Sequence, residues 1–219
     1  MDYMPPSTPD FSDDAILPED VPVTMPELPI RLRVSTAQQF KAMGDATRLN
    51  ILALIQSYPA TAKQIAAKLK VSPGTIGHHL QVLEEAGLVQ IVARRLIHGI
   101  VAKYYTRTAR VFVYDFPYEL EGAISSGLTI MTEARDQLIA SIEAYTEDTS
   151  CRVSFPRARL SRERAQLYQE RLEALIDDFL QETPDPDGLV YSLCTAYFKA
   201  APHLQLSDTE EASVEIEES

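Results

Sequence analysis

The sequence predicts a mainly α-helical fold with α+β elements. Short capped helices come first, then a β-hairpin, one long amphipathic helix, and a small strand–helix–strand region. Three observations predict it. Between residues 36 and 87, apolar side chains recur three and four positions apart, and the runs open on small capping residues. Between residues 88 and 106, Val, Ile and Tyr gather in two runs separated by a short Gly-containing connection. From residue 118 to 147 the helical period returns and is sustained.

Each element has a local cause. Thr36–Met43 reads as a short helix closed by Gly44, a residue suited to the left-handed position after a helix. Asp45 is placed to cap a second helix, Ala46–Ser57. That helix is apolar at Leu49, Leu52 and Ala53 and, on another side, at Ile51 and Ile55, which makes it the central helix. Thr61 caps a third, with Ala62, Ile65, Ala66 and Leu69 on one face and Lys63, Gln64, Lys68 and Lys70 on the other. After Val71, Ser72 caps a fourth helix and Pro73 takes its first position, where a missing N–H costs nothing. Ile76, Leu80 and Leu83 form its apolar side. Gly87 stops it, with Leu88 positioned against Leu83 in a Schellman closure.

Two short helices, a tight turn and a capped second helix make a helix-turn-helix. The hairpin Leu88–Arg95 and Ile100–Thr106, joined through Leu96-Ile97-His98-Gly99, then reads as a wing. The stretches KAMGDATRLNILALI, TAKQIAAKLKVSPGTIGHHLQVLEEAGLV and GIVAKYYTRTA closely resemble the ArsR-type winged helix-turn-helix regulators, over about residues 36–110. The resemblance implies a homodimeric repressor or activator on a two-fold symmetric operator, with Ser72–Leu83 in the major groove and the wing on the adjacent minor groove or backbone. Metal-sensing members carry a cysteine pair on the helix matching Thr61–Leu69, or Asp and His ligands on the helix after the wing. Here the first has no cysteine, and Asp136 on the second has no histidine at ligand spacing. No metal and no other cofactor is expected.

The residues themselves point to DNA. Opposite the apolar side of the fourth helix stand Gly74, Thr75, Gly77, His78 and Gln81. Two glycines leave room for close approach of a phosphate or a base edge, and the helix N-terminus offers unpaired N–H groups at the positive end of its dipole. Ser72, beside Pro73, and Thr75 can donate to phosphate, Gln81 can pair bidentately with adenine, and His78 can donate to a base acceptor. His79 lies nearer the apolar side, so a partly buried histidine stands beside DNA contact as its reading. Lys63, Arg94, Arg95, His98 and Lys103 supply positive charge; loss of Arg95 is expected to weaken binding to all sequences alike.

Charge supports the same division. The whole chain carries a formal −12. Residues 1–30 hold seven acids and no base; residues 31–110 hold twelve Lys/Arg against Asp45, Glu84 and Glu85. The remainder is acidic again. Phosphate binding depends on the local field, so the overall acidity does not exclude nucleic acid. Residues 1–30, with seven prolines, are expected to be a disordered acidic arm, and residues 204–219 an acidic tail. Solubility is the plain role for both, and mimicry of DNA against the basic segment the sharper one. A composition 45% hydrophobic and 24% charged, without a membrane span or signal peptide, fits a cytoplasmic protein. The two cysteines, Cys151 and Cys194, read as reduced, mostly buried thiols.

Residues 111–203 are expected to combine the long helix with an accessory region. Leu120, Ile124, Met131, Leu138 and Ile142 make a stripe suited to a homodimer seam, with a core face of its own domain as the plainer reading. Behind it, Cys151–Phe155 reads as a strand, Ser161–Gln181 as a capped helix with Ala165, Tyr168, Leu172, Leu175 and Phe179 inward, and Leu189–Phe198 as a β-rich run. That unit enlarges the dimer or holds an unknown small-molecule effector near Tyr168, Tyr191 or Tyr197. Nothing in the sequence supplies a Gly-rich phosphate loop, an activated nucleophile or a metal cluster, so no enzyme is expected. The competing reading is a winged-helix adaptor that binds protein instead of DNA.

Overall fold

The computed structural model describes residues 16–18, 21–97, 99–114, 123–145, 152–183, 185 and 187–201. They fall into two compact units, Met1–Ala144 and Tyr145–Ser219. The long helix falls in the first unit, with the helix-turn-helix.

The helices follow their caps. Helix α1 (Ala37–Met43) opens on a reciprocal pair: Gln39 N–H donates to Thr36 Oγ1 and Thr36 N–H to Gln39 Oε1, both at 3.2 Å. Gly44 ends it with φ −80°, an ordinary right-handed value and not the expected left-handed one. Helix α2 (Ala46–Leu54) is capped by Asp45, whose carboxylate accepts from Arg48 N–H at 3.0 Å. It stops at Leu54 and not at Ser57, because the Gln56 N–H turns back to the Ala53 carbonyl at 3.3 Å. Ile51, Leu52 and Ile55 are buried, while Ala53 is exposed.

Helix α3 (Ala62–Leu69) has the same reciprocal cap between Thr61 and Gln64. It ends on Lys70 at φ +56°, the one described non-glycine residue in the left-handed region. Helix α4 (Pro73–Glu85) begins at Ser72, whose hydroxyl accepts from Thr75 N–H at 3.1 Å. Its end is the Schellman closure expected: Leu88 N–H reaches Leu83 O and Gly87 N–H reaches Glu84 O, both at 2.9 Å, with Gly87 at φ +69°.

The wing is longer than the sequence suggested. Strands β4 (Val89–Ile97) and β5 (Ile100–Arg107) pair antiparallel up to Ile97↔Ile100, with an irregularity between Ile91 and Ala93. Gly99, at φ +80°, supplies the left-handed turn residue. Two short strands flank the hairpin: β3 (Ala60–Thr61) pairs with β5, and β1 (Ile16–Leu17) pairs parallel with β4, so the sheet runs β1-β4-β5-β3. A second sheet joins β2 (Arg31–Val34) parallel to β6 (Val111–Tyr114). The arm expected to be disordered thus contributes structure at Ile16–Pro18 and from Val21 onward. Leu28 is buried, and the Pro29 and Ile30 carbonyls accept from Arg110 and Val111 N–H at 2.9 Å.

The core between helices and sheets is Val34, Phe40, Ile51, Ile55, Ile65, Ile76, Leu80, Leu83 and Leu88, all buried. Removing one such side chain costs about 2–5 kcal/mol in proteins generally. Thr106, fully buried, donates to the Ile55 carbonyl at 3.1 Å and ties the wing's root to the end of α2.

Helix α5 (Ala123–Ala144) docks on α1 through Ala123 and Ser126, both buried, with the Ser126 hydroxyl donating to the Phe40 carbonyl. In the second unit, Ser161 caps helix α6 (Arg162–Gln181) as expected. The flanking segments differ from expectation: residues 152–161 and 187–201 form no strand. Alternation equips a segment for a ladder but does not provide the partner that completes one. Tyr197 Oη does donate to the Ala165 carbonyl at 3.0 Å, and the Phe155 and Phe198 rings lie 6.0 Å apart. Tyr168, Leu175 and Phe179, expected inward, are exposed in this unit. Cys194 is exposed as well, not buried, and Cys151 lies outside the described residues.

Candidate nucleic-acid interface

Helix α4 is held from three directions before any ligand is considered. Ile76, Leu80 and Leu83 anchor its inner side in the core. At its C-terminal end, Gln38 Nε2 donates to the Glu85 carbonyl at 3.0 Å and Thr108 Oγ1 to the Gly87 carbonyl at 2.8 Å. A rigid seat of this kind is what a reading helix requires.

The outer side carries the expected group together. Pro73, Gly74, Thr75, Gly77, His78 and Gln81 are all exposed, and Lys63 on α3 is exposed too. No acid stands in the first turn of α4, so its positive dipole end is uncompensated there. Ser72 Oγ lies 2.7 Å from Thr75 Oγ1, which places two hydroxyls side by side at the helix entry. A methyl group added at Gly77 would meet nothing within 4 Å, so the helix surface there is open. Gln81 is not idle: its Nε2 donates to Glu85 Oε1 at 2.9 Å, a surface bond a base edge would have to replace.

Two candidates are turned elsewhere. His79 points inward, with its side chain 15% exposed and Nδ1 3.9 Å from Asp45 Oδ1, toward the start of α2. Arg95 lies over the Tyr104 ring at 5.7 Å from its centroid and donates through Nη2 to the Val21 carbonyl. Of the other wing cations, Lys103 is exposed, Arg94 is half-buried on the neighbouring register position, and His98 lies outside the described residues.

Sequence reasoning missed one buried cation. Arg107 at the end of β5 donates to Gln56 Oε1 at 3.0 Å and covers the Phe112 ring at 4.7 Å. Burial lowers its pKa to about 10, with Tyr114 opposing that shift, and burial pushes Tyr114 well above 10. Arg107 ties the segment just after α2 to the sheets and has no part in the outer surface. Only its place at the end of a half-buried strand could have signalled this.

Among the described residues, no group of His, Cys, Asp and Glu is arranged to hold a metal ion. Nor is any of their helices long and apolar enough to cross a membrane.

Comparison with known proteins bears on this same segment. Residues 45–90 match the family model for bacterial regulatory proteins of the arsR family. An uncharacterised HTH-type transcriptional regulator of Methanocaldococcus jannaschii is 44% identical over 55 residues, covering 25% of this chain and 62% of that protein. The transcriptional repressor SdpR of Bacillus subtilis is 40% identical over 50 residues, covering 23% and 56%. The chain therefore spans less than two thirds of the length of either relative. Among solved structures, a homodimeric winged helix-turn-helix DNA-binding domain from Mycobacterium bovis is 21% identical, covering 52% of this chain and 86% of that one, with a TM-score of 0.29. A structure of ZitR from Lactococcus lactis is 20% identical, covering 62% and 75%, with a TM-score of 0.27. What these comparisons share is the helix-turn-helix: residues 45–90 of this chain are similar to the arsR-family regulatory proteins.

Proposed function

We propose that the protein is a sequence-specific, DNA-binding transcriptional regulator that acts as a homodimer on a two-fold symmetric operator. The observation that carries this is the outer face of α4: Gly74, Thr75, Gly77, His78 and Gln81 exposed together on a helix whose other side is locked in the core. In this reading α4 lies in the major groove. Ser72 and Thr75 meet a phosphate at its entry, His78 and Gln81 meet base edges, and Lys63, Arg94 and Lys103 contact flanking phosphates.

A second copy supplies the second reading helix. On a helix of ~3.6 residues per turn, Ala123 and Ser126 fall opposite Ile124, Leu128, Met131, Ile139 and Ile142. Those five are exposed, Ile124 at 60%, while Leu138 beside them is half-buried. The side of α5 that faces away from its own domain thus carries five exposed apolar residues, with Arg135 among them bound to Asp136 at 2.7 Å, and this suits a symmetric helix–helix seam. Leu120, expected in the same stripe, lies outside the described residues. Two α4 helices would then address half-sites roughly 34 Å apart. Regulation here is by binding alone, with no metal at the positions that metal-sensing relatives use and no catalysis.

In vitro selection of DNA sites tests this. A palindromic motif, with affinity that falls steeply as salt rises, is the expected result. Failure to enrich any sequence, with no retention of duplex at low salt, would favour the protein-binding adaptor.

A further inference from the structure

The N-terminal arm sits where the wing should be free. Strand β4 would otherwise be the sheet's outer edge, a row of unpaired backbone groups. Instead Ile16 and Leu17 pair with Arg94 and Arg95 in parallel register, and four residues after Leu17 the Val21 carbonyl takes the Arg95 guanidinium. We propose that this arm is an intramolecular competitor of DNA: it docks as an extra strand on the wing, holds Arg95, and must be displaced when DNA binds. The proposal rests on the DNA-binding reading and adds a regulation to it.

The arm's two halves differ in how firmly they are fixed. From Met25 to Val34 it is anchored: Met25 Sδ lies 3.3 Å from Thr106 Oγ1, Leu28 is buried, and β2 pairs with β6 over four residues. The part on the wing is a two-residue strand with Ile16 half exposed, so little apolar area opposes its release. Anchoring at residue 25 keeps it close, with the high effective concentration of a tethered ligand.

Charge explains why the competition concerns DNA. Asp13, Asp14, Glu19 and Asp20 are within three residues of the Ile16–Leu17 pair in the sequence. Four carboxylates that flank the docked pair in the sequence oppose the field of Arg94, Arg95 and Lys103 that a phosphate would seek.

The test uses the full chain and its selected DNA site, with dissociation constants measured by fluorescence anisotropy across a salt series. Leu17→Pro breaks the strand pairing and keeps every charge. A second variant, Asp13→Asn with Asp14→Asn, Glu19→Gln and Asp20→Asn, keeps the strand and removes the charge. Both are expected to bind roughly tenfold tighter near physiological salt, with a steeper salt dependence as Arg95 joins the phosphate contacts. Hydrogen exchange at Ile16 and Leu17 should be faster in the DNA complex than in the free wild type. If Leu17→Pro binds like wild type, docking has no role, and tighter binding by the neutral variant alone would show diffuse repulsion. Weaker binding by Leu17→Pro would make the arm a brace of the wing and overturn the proposal. Equal, specific binding by all three proteins defeats the competitor while leaving the regulator intact; absence of specific binding by all three defeats both.

Discussion

His79 Nδ1 stands 3.9 Å from Asp45 Oδ1, which brings α4 against the start of α2. Asp45 serves two further groups: it caps α2 through Arg48 N–H at 3.0 Å and lies 3.7 Å from Arg48 Nη1. Arg48 in turn donates to the carbonyls of Lys41 and Ala42 at the end of α1. One carboxylate therefore relates three helices. Asp45→Ala should lower stability by about 1–2 kcal/mol, as loss of a helix cap does, read as a shift of the urea midpoint. Asp45→Asn keeps a capping oxygen and should recover most of it. Equal losses in the two variants would place the effect in the charge and not in the cap.

Gly77 separates stability from function. It lies inside α4 with open space where a methyl would go. Gly77→Ala should therefore raise the melting temperature, by an amount matching about 1 kcal/mol of helix propensity. The same methyl stands on the proposed DNA surface, so affinity for the selected site should fall by tenfold or more. A variant more stable and equally tight would show that DNA does not approach this turn.

Gln81 should specify and not merely hold. Its amide is now bonded to Glu85, an exposed and replaceable partner. Gln81→Ala should leave stability within about 0.5 kcal/mol and relax preference at one base pair of each half-site, measured by repeating the site selection. Lys103→Ala, by contrast, should weaken all duplexes alike and flatten the salt dependence by about one unit.

The α5 seam is tested by Met131→Glu combined with Ile142→Glu. Both residues are exposed at 47% and face away from the domain core. The monomer fold should persist by circular dichroism, while sedimentation shows loss of the dimer at micromolar concentration. Operator binding should drop with it, because a half-site alone supplies half of the contacts.

Alkaline titration should reveal buried Arg107 and partly buried Tyr114. Burial raises the Tyr114 pKa above its ordinary 10, opposed by Arg107. Above pH 10 the unfolded tyrosine loses its proton while the folded one keeps it, so Tyr114 costs stability as pH rises. Arg107, lowered to about 10, acts in the opposite direction over the same range, since its charged form is the disfavoured one when folded. Tyr114→Phe should thus gain stability relative to wild type between pH 10 and 12, measured by denaturant midpoints. No relative gain would mean that Tyr114 ionises in the folded protein as readily as in the unfolded chain.

The sequence by itself determined the helix-turn-helix. Thr36, Asp45, Thr61 and Ser72 cap helices through atoms three residues away, and Gly87 closes α4 through bonds spanning three and five residues. Interactions that short are written in local order, so their spacing is legible without a structure. The outer face of α4 was legible for the same reason, because burial of Ile76, Leu80 and Leu83 dictates what points away. Only the tertiary structure decided the rest. It set Arg95 on Val21 and Leu17 beside Arg95, turned His79 to Asp45, buried Arg107 on Gln56, and joined α5 to the first unit. It also left Leu189–Phe198 without a ladder. Each of these depends on what meets a side chain or a strand edge from more than twenty residues away, and no local period carries that information.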